Sequence, residues 1–205
     1  MLSKTDAKDR LLTLLKTKSV VRGDFVLSSG GKSNYYVDCK LTTLDPEGAT
    51  LVGEVMHTMI GEEIRKRSLV VNGIGGLTMG ADPIALAVCM RSYLENPDSP
   101  LKCFIVRKTP KAHGQTKLIE GNFKKDDTVV VIDDVVTKGD STLKAIEAVE
   151  KEGGHVAFVA VLVDRQEGGR VKIEDRGFDV IAAFTRDELL QQPSPSYNRE
   201  DCVVA

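Results

Sequence analysis

"VVVIDDVVTKGDST", residues 129–142, runs four β-branched apolar residues into two adjacent aspartates and then into a short loop of hydroxyl, cationic and glycine residues. The apolar run reads as a buried strand, and the loop stands where a strand should turn into a helix. Such a turn aims backbone N–H groups and the positive end of the helix at one spot, which suits a phosphate dianion. Gly139 lets the backbone approach an anion closely, while Thr137, Ser141 and Thr142 add hydroxyl donors. The carboxylates of Asp133 and Asp134 can accept hydrogen bonds from two vicinal hydroxyls, as on a ribose, or help to hold a divalent cation. Taken alone, a DD pair is more simply a helix cap beside a surface acid. The loop that follows shifts the reading to a ribose 5-phosphate site. It is not a Walker loop, because the Gly-x-x-x-x-Gly-Lys-Ser/Thr spacing is missing. Asp140 is expected to be the N-cap of the next helix, turned away from the anion.

Outward from this stretch, apolar periodicity predicts a helix over 5–17 and two short strands around a Ser-Gly-Gly turn within 24–43. A long amphipathic helix over 45–67 follows, with Leu51, Val52, Val55, Met56, Met59, Ile60 and Ile64 on one face. Then come a strand over 68–76 ending in glycines, a helix over 82–96 with Pro83 in its first turn, and a strand over 101–108. A polar loop extends to about 121. The strand at 128–133, a helix over 141–152, strands at 155–163 and 178–184 and a short helix at 185–192 complete the chain, and the tail from Pro193 is expected to be loose. Strands alternating with helices predict an α/β fold, a doubly wound and mostly parallel sheet with ligands at the carboxyl ends of its strands.

The chain has 205 residues, 41% hydrophobic and 28% charged, which suits one domain with an ordinary core. A formal charge of -2 and a pI near 6.0 give no general attraction to nucleic acid or to an anionic membrane, so neither is expected as a partner. The opening "MLSKTDAKDR" lacks the apolar run of a signal peptide, and no stretch approaches ~18 consecutive apolar residues. Cys39, Cys89, Cys103 and Cys202 form no Cys-x-x-Cys pair and read as small core residues, which points to a reducing, cytoplasmic setting. His57, beside core methionines, and His155, opening a strand, read as structural.

Four apolar residues, two acids, two apolar residues and Thr-x-Gly-x-Ser/Thr resemble the phosphoribosyl diphosphate (PRPP) signature of the type I phosphoribosyltransferases. Three more stretches resemble the orotate phosphoribosyltransferases among them. "IVRKTPKAHGQTKLIEG" (105–121) fits that family's mobile loop, Arg-Lys-x-x-Lys-x-His-Gly, although alone it would read as a solvated basic loop. "FVLSSGGKSNYYVDCK" (25–40) is similar to the family's N-terminal element. "LVDRQEGG" (162–169) matches a strand end Asp-Arg-x-Glu.

The resemblance implies a type I phosphoribosyltransferase fold, a single domain over 1–205 with a small hood built from about 1–45 and the C-terminal strand region. It implies transfer of ribose 5-phosphate from PRPP to orotate, giving orotidine 5′-monophosphate and pyrophosphate in de novo UMP synthesis. Lys111 and His113 are then the catalytic side chains. PRPP is held by Arg107, Lys108, Lys111 and His113 at its pyrophosphate, by Asp133 and Asp134 at its ribose, and by Val135, Val136, Thr137, Lys138, Gly139, Asp140 and Ser141 around its 5-phosphate. Orotate is met by Thr137, Tyr35, Tyr36 and Arg165, whose guanidinium suits the substrate's carboxylate; the structural alternative for Arg165 is an ion pair with Asp164 or Glu167. Mg2+ is the implied cofactor, with no direct protein ligand and with Asp133 or Asp134 reaching it through water. A homodimer is implied too, one subunit's loop 107–119 closing over its neighbour's site.

Departures from the family pattern are Ser28 in place of a frequent lysine, Ala112 in place of a frequent aspartate, "QTKLIEG" in place of a glycine-rich tail, and "GGLTMGADP" (75–83) with no lysine after it. The PRPP contact there would have to come from backbone amides of Gly75–Gly80, or be absent. The length leaves no room for a fused decarboxylase, so the next reaction is expected on another chain. Two other readings share the Asp133–Thr142 signature. One is a transferase for a purine base, which would not use Arg165 in this way. The other is a non-catalytic regulator of the same fold, which would tend to show a basic face.

Overall fold

The computed structural model describes residues 4–26, 32–109 and 117–191. Eight strands and seven helices run in the order α1 (Lys4–Leu14), β1 (Val20–Val26), β2 (Lys32–Val37), α2 (Lys40–Thr43), α3 (Pro46–Lys66), β3 (Gly73–Leu77), α4 (Ala81–Glu95), β4 (Lys102–Val106), β5 (Ile119–Gly121), β6 (Thr128–Val136), α5 (Asp140–Lys151), β7 (His155–Asp164), α6 (Gly169–Glu174), β8 (Val180–Thr185) and α7 (Arg186–Leu190). A π-helical turn, Leu15–Ser19, joins α1 to β1.

Six strands form one sheet in the order β5-β4-β3-β6-β7-β8, parallel except for the β5 edge, while β1 and β2 pair antiparallel in a separate two-stranded sheet. The chain leaves β3 toward β4 on one side and continues from β6 toward β7 and β8 on the other. The sheet therefore reverses its winding between β3 and β6, and a crevice opens at the carboxyl ends of those two strands.

Two buried clusters cover the sheet's faces. Val130 and Ile132 point to the layer of α1, α3 and α4, with Leu11, Val52, Met56 and Ile84; Val129 and Val131 point to the α5 side, with Ile146 and Val149. The period-2 alternation of a strand makes this division. α3 starts where its sequence says it should: Pro46 occupies the first turn, and the Asp45 carboxylate accepts from the Gly48 amide at 3.0 Å.

Several boundaries depart from expectation. The strand predicted from 68 begins at Gly73, and Val70 is 80% exposed: Ser68 at φ 53° sits in the turn that ends the helix, and the backbone first meets β4 and β6 at Asn72, which bonds to Lys102 and Thr128. Residues 119–121, expected in a loop, pair with β4. Lys40–Thr43, expected to be extended, are helical, and α6 had no expectation at all. β6 runs three residues past Asp133, so both aspartates lie within the strand. The tail from Pro193 and Cys202 fall outside the described residues; Cys39 is buried, and Cys89 and Cys103 are partly buried. His57 lies half-buried 3.5 Å from Glu95, its pKa lowered chiefly by burial, in keeping with a structural role. No helix among the described residues is long and apolar enough to cross a membrane.

Candidate active site

The alternation that splits the core gives the two acids different neighbours, although their carboxyls still meet each other. Asp133 continues the Val129–Val131 row toward α5, where its Oδ2 accepts from Thr142 Oγ1 at 2.7 Å and its exposure is 4%. Burial, then the charge of Asp134, pushes its pKa up to about 7, and the hydroxyls of Thr142 and Ser141 oppose the rise. Asp134 faces the opposite layer. Its carbonyl accepts from Cys39 Sγ at 4.0 Å, its carboxylate accepts from the Val135 amide at 2.9 Å, and a Cβ on Gly80 would stand 2.3 Å from its Oδ1. Burial raises its pKa too, against the nearby charge of Lys40. Lys40 is itself held by Asp38, 2.6 Å from its Nζ.

The loop from Thr137 to Gly139 joins β6 to α5, and Gly139 takes φ 80° at the helix N-cap, a conformation that favours glycine. Asp140 does not cap. It occupies the first helical position with its carboxylate paired to Lys172, so it is turned to the outer surface by an ion pair instead of a capping bond. Thr142, expected to face a phosphate, donates to Asp133. The remaining donors at the turn are the loop amides with the hydroxyl of Thr137, Ser141 standing beside Asp133 as Thr142 does, and Lys138 Nζ reaches across to the Glu167 carbonyl at 3.2 Å. Val135 and Val136 sit in the strand between acids and turn.

Arg165 lies one residue beyond β7, its amide bonded to the Val136 carbonyl at 3.0 Å, so the strand ends of β6 and β7 meet at its backbone. Its side chain is 6% exposed, stands 4.8 Å from the centre of the Tyr35 ring and has Nη2 2.8 Å from Glu167 Oε1. Tyr35 from β2 thus joins the same spot as Arg165. Tyr36 does not: strand alternation sends it the other way, 42% exposed and with its ring 5.8 Å from that of Phe25.

At the end of β4, Arg107 contacts Glu120 at 3.5 Å and the Thr109 carbonyl at 3.3 Å; with Lys108, Lys144 and Lys151 it lines a cleft between β4 and α5. Lys111, Ala112 and His113 lie outside the described residues, as does Ser28. Between Gly75 and Pro83 there is no basic residue, and the Thr78–Met79 peptide bond is cis. Among the described residues no three His, Cys, Asp or Glu side chains converge as a metal cage. Asp133 and Asp134, adjacent carboxyls whose pKa values burial raises, would be favoured in their ionised form by a Mg2+ held through water, with substrate oxygens as the cation's other ligands.

Four residues stand at the site whose side-chain position there was not expected from the sequence. Cys39 and Lys40 follow the tyrosines in "YYVDCK" and gave no signal beyond that nearness. Gly80 matters through the side chain it lacks. Glu167 appeared only as a possible partner for Arg165.

Residues 89–192 match the phosphoribosyl transferase domain family. The chain is 42% identical over 186 residues to the orotate phosphoribosyltransferase of Aquifex aeolicus, covering 89% of this chain and 97% of that one. It is also 42% identical over 186 residues to the Streptomyces coelicolor orotate phosphoribosyltransferase, covering 90% and 98%. The crystal structure of Mycobacterium tuberculosis orotate phosphoribosyltransferase in complex with PRPP superposes with a TM-score of 0.72 at 34% identity, over 89% of this chain and 98% of that one.

Proposed function

The chain belongs to the orotate phosphoribosyltransferases and transfers ribose 5-phosphate from PRPP to orotate in pyrimidine biosynthesis, and we propose how its own residues divide that work. The observation that carries the division is the pair of consecutive acids at the winding reversal, followed at once by the glycine-hinged turn into α5.

Asp133 and Asp134 accept from the two ribose hydroxyls of PRPP, and the amides and hydroxyls from Thr137 to Ser141 receive its 5-phosphate at the positive end of α5. Arg165 pairs with the orotate carboxylate over the Tyr35 ring, with Thr137 beside the base. The bond from orotate N1 to ribose C1 forms as the bond from C1 to pyrophosphate breaks, and the N1 proton passes to water. Charge grows on the departing pyrophosphate, and Lys111 with His113, Arg107 and Lys108 stabilises it. Asp133 or Asp134 would hold Mg2+ through water, and the bound cation would supply Lewis-acid stabilisation to the leaving group.

A homodimer fits the apolar outer face of α4, where Leu86, Met90, Tyr93 and Leu94 are all more than half exposed. In that assembly loop 107–119 completes the neighbouring subunit's site. The segment of about 1–45, which carries the β1–β2 hairpin, and the C-terminal strand region act as the hood, and the enzyme works in the cytoplasm.

The test is the fall in orotate's ultraviolet absorbance on mixing with PRPP and Mg2+, with Lys111→Ala in parallel. A loss of about 100-fold or more in kcat is expected of the variant. A variant as fast as the wild type would remove Lys111 from the catalytic role.

A further inference from the structure

We infer that Glu167 is an internal stand-in for the substrate carboxylate, competing with orotate for Arg165. The inference rests on the placement of Arg165 at the base site. Nε and Nη2 of Arg165 form one edge of the guanidinium, the edge that can receive both oxygens of a carboxylate. Both atoms are buried, and neither makes a hydrogen bond among the described residues. Leaving two buried N–H groups unpaired is costly unless a further acceptor is meant to reach them.

Glu167 lies at that edge, and the Tyr35 ring lies against the guanidinium's face. Glu167 Oε1 lies 2.8 Å from Nη2 but off the N–H direction, so the contact is ionic and one-sided. The same Oε1 accepts from the Tyr35 hydroxyl at a long 3.4 Å, and the Tyr35 ring lies over the guanidinium. Glu167 thus neutralises a buried cation without satisfying its donors. Its side chain stays 22% exposed, and it sits in a turn between Gln166 at φ 56° and Gly168 at φ 89°. It has a way out to water that Arg165 lacks.

A planar carboxylate delivered by the base can take the whole edge and send Glu167 to solvent. A base without a carboxylate offers nothing that would exchange for it. Glu167 is therefore a specificity-determining residue, which sets a threshold that only an anionic base crosses.

The test is steady-state kinetics of Glu167→Gln, Glu167→Asp, Arg165→Ala and the Arg165→Ala/Glu167→Gln pair, with KM for orotate and for PRPP separated from kcat. Removing the competing charge should lower the orotate KM of Glu167→Gln roughly five-fold, the scale of one partly exposed ion pair, and leave the PRPP KM nearly in place. Glu167→Asp, which keeps the charge, should stay closer to wild type. With Arg165 absent, Glu167→Gln should bring no such fall. An orotate KM that rises or holds in Glu167→Gln overturns the competition and makes Glu167 a support for Arg165. An unchanged orotate KM in Arg165→Ala would instead sink the base-site assignment itself.

Discussion

Thr142 Oγ1 donates to Asp133 Oδ2 at 2.7 Å, fastening the first turn of α5 to the strand that precedes it. The residue proposed to bind ribose and the turn proposed to bind phosphate are therefore set against each other by one buried hydrogen bond. Thr142→Val keeps the shape and removes the donor. A hydrogen bond to a charged group contributes about 1.5–3 kcal/mol, so kcat/KM for PRPP should fall at least roughly tenfold. Thr142→Ser should recover most of it, and an initial-rate series in PRPP reads both.

Asp133 carries a pH signature. Its folded pKa of about 7 lies above the ordinary 3.8, so the folded protein holds this proton more tightly than the unfolded chain does. The resulting stability is full below about pH 4 and is lost as pH rises through about 7. Asp133→Asn never pays for ionisation. It should melt like the wild type near pH 4 and be more stable at pH 8, by on the order of a few kcal/mol. Urea midpoints across that range measure the gap; parallel curves for the two proteins would contradict the cause given for the shift.

The same titration should appear in binding. An ionised Asp133 accepts from ribose hydroxyls better than a protonated one, so kcat/KM for PRPP is expected to rise from pH 6 to pH 8 in the wild type. Asp133→Asn should be slow and flat across that interval.

Gly80 is expected to tolerate no side chain. A Cβ there would stand 2.3 Å from Asp134 Oδ1 and 2.6 Å from its carboxyl carbon. Gly80→Ala must push the carboxylate out of place, so its PRPP KM should rise at least about tenfold, with an overload cost of roughly 1–3 kcal/mol in stability. Calorimetry and KM determination on one preparation separate the two effects.

Gly139→Ala meets a different obstacle. The backbone there holds φ 80°, and a Cβ would approach the Gly169 carbonyl oxygen to 2.9 Å. A loss of at least about 1 kcal/mol is expected, with weakened affinity for inorganic phosphate as the local readout.

The sheet and its ligand edge were legible because the signals were local. Valine runs gave strands, the apolar spacing from Leu51 to Ile64 gave α3, and the acid-acid-loop order of 133–141 gave the site. What escaped depended on partners far along the chain. Nothing in "SLVVNGIGG" says that regular strand pairing will wait until Gly73, and nothing in "IEG" says that it will pair with β4. Asp140 looked like a cap until Lys172, 32 residues on, took its carboxylate. Tyr35 and Tyr36 looked alike until the pairing of β2 fixed which of them faces Arg165.

Neighbours in sequence, Asp133 and Asp134 answer to opposite layers of the molecule, one to Thr142 and α5, the other to Cys39, Lys40 and Gly80. A sugar held by both acids at once would act as a rivet through the sheet. The two layers would then come apart only together, and the nucleotide would report on the alignment of the whole body as well as on its own pocket.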